Sequence, residues 1–156
     1  LALLSELPKA HGVGIDINPD ALATARRNAA SLGLGDRAVF AEHSFTDDLG
    51  AFGDFDVILS NPPYIPTSDI DMLAVDVKSF DPTLALDGGT DGMACWTRLL
   101  PRLAAVLAVN GMAFVEIGRG QENAVIAAAE KVNLQFSDSH CDLAGITRGL
   151  AFSIKM

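Results

Sequence analysis

Four consecutive residues, Asn61, Pro62, Pro63 and Tyr64, are well suited to chemistry, and they directly follow the apolar run FDVILS. Proline has no amide donor and pushes the preceding residue out of helical space, so this segment is a stiff, extended exit from a strand. The Asn61 side-chain oxygen and the Pro62 carbonyl can accept both hydrogens of a planar NH2 group that stacks on the Tyr64 ring. A nitrogen held in this way would aim its lone pair at an electrophilic methyl group, and positioning of this kind contributes roughly 7–11 kcal/mol in well-aligned reactions.

The same four residues also fit a purely structural interpretation, a proline-stiffened turn that carries a buried tyrosine. Their location favours the chemical interpretation. Ligands of open parallel sheets sit beyond the carboxyl ends of the strands, and Asn61 comes directly after such an end.

Asp16 is a second candidate, because it ends the run HGVGIDI just before a helix that Asn18 can cap and Pro19 can begin. In nucleotide-binding α/β folds a carboxylate at this place accepts hydrogen bonds from ribose hydroxyls. It can equally be a helix-entry carboxylate near the positive end of the helix dipole. The GVG run at 12–14 lies inside the strand and lacks a third glycine, so it is not interpreted as a phosphate-binding loop.

Strands and helices that alternate along the chain must position these residues. Apolar periodicity predicts helical segments over 1–7, 20–34, 93–109 and 121–133, the third of which is closed by Asn110-Gly111. It predicts strands at HGVGIDI, AVFAE, FDVILS and MAFVEIG, and two closing strands in LQFSDSHCDL and GLAFSIKM. This order indicates an α/β fold, an open, doubly wound and mostly parallel sheet with helices on both faces.

The same patterns predict which residues are buried. FDVILS is apolar on both parities and is expected to be buried on both faces, as a central parallel strand would be. Apolar residues recur at helical spacing in the second and third helices, and these are expected to face the core: Leu22, Ala25, Ala29, Leu32, Leu99, Leu103, Ala104 and Leu107.

Composition excludes several classes of function. With 156 residues, 49% of them apolar, the chain suits one globular domain. A formal net charge of -9 argues against a general grip on nucleic-acid backbones. No apolar run approaches the roughly 20 residues of a membrane helix, and no secretion signal is evident, which predicts a cytoplasmic protein. Cys95 and Cys141 stand alone, so we expect buried free thiols and no metal site.

Five successive blocks resemble those of the HemK-type protein-glutamine methyltransferases: GIDINPDALATARRNA, FDVILSNPPYIP, DPTLALDGGTDG, EIGRGQ and DLAGITRGLAF. NPPY alone is shared with enzymes that methylate amino groups of DNA and RNA, whereas its combination with ALDGGTDG and EIGRGQ is much more specific. The resemblance implies a Rossmann-like fold of the class I methyltransferase type, with residues 1–156 in one catalytic domain. It also implies metal-free methyl transfer from S-adenosylmethionine to N5 of the glutamine in the Gly-Gly-Gln motif of peptide-chain release factors, without direct nucleic-acid binding.

Residue by residue, the resemblance implies that Asn61 and Pro62 hold the substrate amide, with Asn61 also near the cofactor. Pro63 and Tyr64 shape the pocket, and Tyr64 joins Asn61 and Pro62 as a catalytic residue. Asp16 becomes the ribose-binding carboxylate.

The resemblance also places Ile17 beside the adenine, together with His43-Ser44-Phe45. Phe45 supplies an aromatic ring there, but Ser44 stands where the family usually has an acidic residue. Phe80-Asp81-Pro82 likewise stands where the family usually has a glutamate before the proline.

Two further motifs are interpreted mainly as structure. Gly118-Arg119-Gly120-Gln121 is expected to be a tight strand-to-helix turn, with a substrate-side contact as the alternative. The DGGTDG run at 87–92 lacks the alternating ligands of a calcium loop and is interpreted as a loop that borders the site.

The family's first strand and glycine-rich cofactor loop would lie before Leu1, so we expect the protein to continue upstream with these and with a helical domain that docks the release factor. A piece without that central strand exposes unpaired edges and is not expected to fold well alone. Three alternatives stay open: a DNA or RNA amino-methyltransferase, a ribosomal-protein glutamine methyltransferase, and a non-enzymatic piece that is either a cofactor-dead fragment or a binding module.

Overall fold

The computed structural model describes residues 1–74 and 82–155, and its contacts divide the chain into two compact units, Leu1–Asp48 and Leu49–Met156. Helices and strands alternate in both units, which confirms the α/β class. Phe80 and Asp81 belong to the segment where the resembling family usually has a glutamate before the proline, and both lie outside the described residues.

The first unit contains α1 (Ala2–Glu6), β1 (Gly12–Asp16), α2 (Pro19–Ser31) and β2 (Ala38–Glu42). β1 and β2 form a parallel two-stranded sheet in which Asp16 lies opposite Glu42. Arg37 stabilises the end of α1, because its guanidinium donates to the carbonyls of Leu4 at 2.8 Å, Leu7 at 3.0 Å and Ala10 at 2.9 Å. Leu4 lies in the last turn of α1, where carbonyls lack a partner within the helix, while the Leu7 carbonyl also accepts from the Ala10 amide at 3.0 Å.

The turn from β1 into α2 has the predicted local chemistry. The Asn18 side chain accepts a hydrogen bond from the Asp20 amide at 2.9 Å, and Pro19 takes the first helical position. One expectation for the far end of α2 is wrong: Leu32 is 58% exposed, and Leu34 is buried instead. The helix ends at Ser31 and Gly33 adopts a φ of +68°, so the chain turns before Leu32 can reach the core.

The second unit contains a four-stranded sheet flanked by two longer helices. Its elements are β3 (Phe55–Ser60), α3 (Ala94–Val106), β4 (Leu107–Glu116), α4 (Glu122–Glu130), β5 (Leu134–Cys141) and β6 (Thr147–Ile154), with short 3-10 helices at Gly50–Phe52, Thr67–Met72 and Thr83–Ala85. The strand order is β3-β4-β6-β5, with β3 and β4 parallel and both pairs that involve β6 antiparallel.

The core of the second unit lies between α3, α4 and one face of this sheet. Trp96, Leu99 and Leu103 of α3 are at most 1% exposed, and Val115 and Phe152 of the sheet are at most 2% exposed. The helical spacing expected for Leu99 and Leu103 is therefore confirmed.

The predicted end of α3 at Asn110-Gly111 is wrong. The helix ends at Val106, and Leu107 pairs with Phe55 as the first residue of β4. Backbone hydrogen bonds to a neighbouring strand satisfy this stretch in place of helical ones, and the sequence alone does not reveal that neighbour.

The expectation that β3 is buried on both faces is also wrong. Val57 is 43% exposed and Leu59 is 61% exposed. β3 lies at the edge of the four-stranded sheet, and in the described part of the chain it pairs with β4 alone. An edge strand leaves more of its side chains exposed than a central strand does.

Two expectations from composition have mixed outcomes. Cys95 and Cys141 are free thiols as predicted, but Cys95 is only partly buried and Cys141 is exposed. The exposure of Cys141 follows from its position at the end of β5, the outermost strand of its sheet. Within residues 1–74 and 82–155, no helix has the length and apolar character needed to cross a membrane.

Candidate functional site

The NPPY segment begins where β3 ends, directly after Ser60. Asn61 is exposed, Pro62 is buried, and Pro63 and Tyr64 are partly buried. A small cavity of about 110 Å³ is lined by all four, together with Ile65, Ala85 and Leu86. The structure thus brings together every site residue that the sequence predicts in the second unit.

The two acceptors that could hold an NH2 group make no hydrogen bond within the described part of the chain. Among the described residues, neither the Asn61 side chain nor the Pro62 carbonyl takes part in a hydrogen bond. The amide oxygen and the carbonyl oxygen each have two lone pairs to offer. Both are therefore available to a ligand.

The Tyr64 ring is held by its hydroxyl, which donates to Glu116 Oε1 at 3.1 Å. Glu116 is the last residue of β4, the strand next to β3. Burial raises the pKa of Tyr64, and the hydrogen bond and negative charge of Glu116 raise this pKa further, while the positive charge of Arg148 acts in the opposite direction. The phenol therefore stays protonated, and so remains a donor, at neutral pH.

The Tyr64 carbonyl is held separately, by the side-chain amide of Gln121. Gln121 Nε2 donates to the Tyr64 carbonyl at 2.9 Å and to the Gly92 carbonyl at 3.2 Å, and Oε1 accepts from the Gly118 amide at 3.0 Å. Both hydrogens and the oxygen of this amide are thus engaged. Gln121 precedes α4, and its side chain makes no capping hydrogen bond to that helix.

Two glycines allow these groups to approach each other. A Cβ at Gly92, whose φ is +73°, would lie 2.5 Å from Gln121 Nε2 and 2.5 Å from the Tyr64 carbonyl oxygen. A Cβ at Gly118 would lie 2.9 Å from Gln121 Oε1 and 3.0 Å from Tyr64 Cδ2. Contacts of a real Cβ atom are longer than these distances, so a side chain would not fit at either position, and glycine is required there.

The loop at 87–92 borders the site as predicted and braces the chain that leaves it. Ile65 and Asp87 form a short parallel bridge. The Asp87 carboxylate accepts from Thr67 Oγ1 at 2.7 Å and from the Gly89 amide at 2.9 Å. These two hydrogen bonds, that of Thr67 first, lower the pKa of Asp87.

In the first unit, the two segments predicted to bind cofactor meet at Asp16. The Asp16 carbonyl accepts from the His43 amide at 3.0 Å, and Asp16 Oδ1 accepts from the Asn18 amide at 2.8 Å. The carboxylate is exposed, and no group in the residues that the structure describes donates to its second oxygen, which is suited to a hydroxyl donor. Ile17 beside it is 50% exposed, an apolar surface of the kind on which a flat ring can rest.

His43 follows β2 and leads into a tight turn that begins at Ser44, whose carbonyl accepts from the Asp47 amide at 3.1 Å. His43 Nε2 donates to the Asp48 carbonyl at 3.0 Å. Ser44 Oγ lies 2.8 Å from Thr46 Oγ1 and accepts from the Thr46 amide at 3.1 Å, so this hydroxyl stabilises its own turn. Phe45 is partly buried.

Sequence reasoning assigned Gln121 only an alternative substrate-side contact within the 118–121 turn, and it assigned Glu116 and Arg148 no specific role at the site. Glu116 lies two residues before the predicted turn at 118–121 and Gln121 is its last residue; the tight geometry of this turn is present, with Gly120 at a φ of +80°. The available signal was position: Glu116 is the last residue of β4 and Gln121 follows it by five residues, at the carboxyl end of the strand that pairs with β3.

Comparison with known proteins adds independent support for the fold. The family described as "Methyltransferase domain" matches residues 1–104. The chain belongs to this methyltransferase family.

Similar curated proteins narrow the branch of the family. This methyltransferase chain is 46% identical to the "Release factor glutamine methyltransferase" of Bradyrhizobium diazoefficiens over 97% of its own length and 50% of that protein. It is 49% identical to the protein of the same name from Caulobacter vibrioides, over 81% of its own length and 44% of that protein. The predicted resemblance is confirmed, and the chain spans about half the length of these relatives.

Solved structures confirm the Rossmann-like methyltransferase fold. A methyltransferase from Pyrococcus furiosus matches with a TM-score of 0.68 at 16% identity, covering 99% of this chain and 68% of that one. A ribosomal protein L11 methylase from Lactobacillus delbrueckii subsp. bulgaricus matches with a TM-score of 0.63 at 20% identity, covering 94% of this chain and 58% of that one. At such low identity the likeness concerns the fold alone.

Proposed function

We propose that the full-length protein transfers a methyl group from S-adenosylmethionine to N5 of the glutamine in the Gly-Gly-Gln motif of a peptide-chain release factor. The observation that carries this proposal is the pair of acceptors at Asn61 and Pro62, which no group in residues 1–74 and 82–155 engages, beside a tyrosine whose hydroxyl and carbonyl are both anchored. The relatives named release factor glutamine methyltransferases support the substrate class.

In this proposal the chain's own residues position the substrate. The Asn61 side-chain oxygen and the Pro62 carbonyl each accept one hydrogen of the glutamine NH2, and the Tyr64 ring lies against the plane of the amide. These contacts fix the direction of the nitrogen lone pair. Orientation matters because conjugation with the carbonyl makes an amide nitrogen a poor nucleophile. A general base is not required, because the alkylated nitrogen is cationic and readily releases one proton to water.

The cofactor-binding roles remain part of the proposal. The free carboxylate oxygen of Asp16 suits a ribose hydroxyl, and the exposed side chain of Ile17 suits the adenine. His43, Ser44 and Phe45 would lie near the adenine, with the Phe45 ring as the apolar contact and no carboxylate from Ser44. When bound, S-adenosylmethionine supplies a methyl group on a positively charged sulfur, which becomes a neutral thioether. Residues 1–156 would belong to one catalytic domain.

The substrate class is tested with the full-length protein and methyl-labelled S-adenosylmethionine. A release factor, total ribosomal protein, duplex DNA and structured RNA are offered separately, and labelled positions are located by mass spectrometry. We expect label on the glutamine of the Gly-Gly-Gln motif and none on a release factor in which this glutamine is alanine. Preferential labelling of ribosomal protein or of nucleic acid would overturn the proposal.

The role of Asn61 is tested by Asn61→Ala, with Asn123→Ala as the matched control. Asn123 is an exposed asparagine on α4, away from the NPPY cavity. Because loss of orientation at a reacting centre costs on the order of 100-fold in rate, we expect Asn61→Ala to lower kcat/KM by about this factor. Asn123→Ala should match the parent protein. Equal activities of the two variants would refute the role of Asn61.

A further inference from the structure

Tyr64 is fixed at two opposite ends by the two ends of one sequence block, EIGRGQ. Its hydroxyl contacts Glu116, the first residue of the block, and its carbonyl contacts Gln121, the last. We propose that Glu116 and Gln121 are positioning residues of the methyl-transfer site, which act on the substrate through Tyr64. This inference rests on the proposed function for its meaning in catalysis, whereas the anchoring itself can be tested without any activity.

The geometry of the chain explains why the anchoring matters. Ser60 is paired with Val115 in the sheet, and four residues later the Tyr64 carbonyl is bonded to Gln121. Between these two fixed points lie Asn61 and two prolines, whose φ angles cannot adapt. A shift of Tyr64 is therefore passed to the Pro62 carbonyl, one of the two proposed acceptors.

Gln121 is not well placed to act on substrate itself, whereas Glu116 is exposed and engages Tyr64 through Oε1. The Gln121 amide donates its two hydrogens to the carbonyls of Tyr64 and Gly92, and its oxygen accepts from the Gly118 amide. Glu116 accepts from the phenol, so a substrate would have to compete with Tyr64 for that oxygen. The charged groups that act on the phenol are Glu116 and, with opposite sign, Arg148, which itself pairs with Asp142 at 3.3 Å.

Glu116 is tested by a double-mutant cycle with Tyr64→Phe in the full-length protein. Each single change, Glu116→Ala and Tyr64→Phe, removes the same hydrogen bond and should lower kcat about tenfold, the worth of one such bond. The double variant should be no worse than the poorer single variant, because residues that act through one contact are not additive. Glu116→Gln, which keeps an acceptor, should recover most of the loss. Effects that multiply to about 100-fold would overturn the inference for Glu116.

Gln121 is tested by Gln121→Ala and by Gln121→Met, which preserves volume but cannot hydrogen-bond. The matched control is Gln135→Ala, an exposed glutamine on β5. We expect both Gln121 variants to lower kcat by about tenfold to 100-fold, with an unchanged dissociation constant for S-adenosylmethionine measured by calorimetry. A folded Gln121→Met protein with the kcat of Gln135→Ala would overturn the inference for Gln121.

The anchoring of the hydroxyl has a readout that needs no substrate. Tyrosine labelled with 13C at Cζ is titrated by NMR, and the Tyr64 signal is identified by its loss in Tyr64→Phe. Glu116→Gln should lower the pKa of Tyr64, because it removes a negative charge beside the phenol. An unchanged pKa would overturn the inference whatever the activity. Absence of methyl transfer by the parent protein, together with a lowered pKa, would instead refute only the proposed function.

Discussion

Replacing Gly118 by alanine should displace the Tyr64 ring while leaving the protein folded. The new Cβ would lie 3.0 Å from Tyr64 Cδ2 and 2.9 Å from Gln121 Oε1. Carbon atoms in contact rest at about 3.5–4.0 Å, so the ring must move by roughly 0.5–1.0 Å. The Gln121 side chain cannot simply swing aside, since hydrogen bonds to Tyr64 and Gly92 hold its amide.

The size of the effect follows from this displacement. A misplacement of about 1 Å at a reacting centre costs about 100-fold in rate, whereas overpacking of one methyl group costs about 1–3 kcal/mol in the free energy of unfolding. We therefore expect Gly118→Ala to lower kcat/KM for release-factor methylation by up to about 100-fold, with a modest fall in Tm.

Gly120→Ala is the matched control, two residues away in the same turn. Gly120 has a φ of +80°, and a Cβ added there would have nothing within 4 Å, so alanine at this position is strained without touching Tyr64. A left-handed alanine costs roughly 1–2 kcal/mol, which makes the two variants similarly destabilised. Labelled-methyl transfer and thermal unfolding by circular dichroism are measured on both. Similar kcat/KM values in two folded variants would refute the reasoning.

Three further predictions concern stability. The hydrogen bonds from Thr67 and Gly89 lower the pKa of Asp87, so its contribution to the free energy of unfolding is present above the ordinary carboxyl pKa. This contribution is lost as the pH falls through the folded-state pKa. The Tm difference between the parent protein and Asp87→Asn should therefore be largest at neutral pH and vanish in acid. A Tm difference independent of pH would contradict this. Asn18→Ala removes the cap of α2 and should lower the free energy of unfolding by about 1 kcal/mol in urea titrations, whereas no change would show that the cap is dispensable. Trp96 is fully buried, so Trp96→Ala should cost about 3–5 kcal/mol by the same measurement, and a cost near that of a surface substitution would contradict its place in the core.

Local chemistry made part of this structure predictable from sequence. The entry into α2 depends on Asn18 and Pro19 and on amides within a few residues of them, and the NPPY segment is stiff because of its own prolines. Such features need no distant partner. The resemblance to known sequence blocks then placed them on a Rossmann-like fold that the structure and its comparisons confirm.

What could not be predicted depends on contacts between distant parts of the chain. α3 ends early because Leu107 pairs with Phe55, which lies 52 residues earlier in the sequence. The roles of Glu116 and Gln121 depend on Tyr64, at sequence separations of 52 and 57. A glutamate and a glutamine near a strand end have many possible partners, and only the folded arrangement selects one.

The bond between Gln121 and Tyr64 has a consequence for how the site could change. Gln121 holds a main-chain carbonyl, which every amino acid at position 64 would provide, whereas Glu116 holds the phenol that belongs to tyrosine alone. The path of the loop and the surface it presents are therefore separately adjustable. A protein engineer could exchange the side chain at this position to accommodate a wider or narrower acceptor, and the backbone around Pro62 would keep its course.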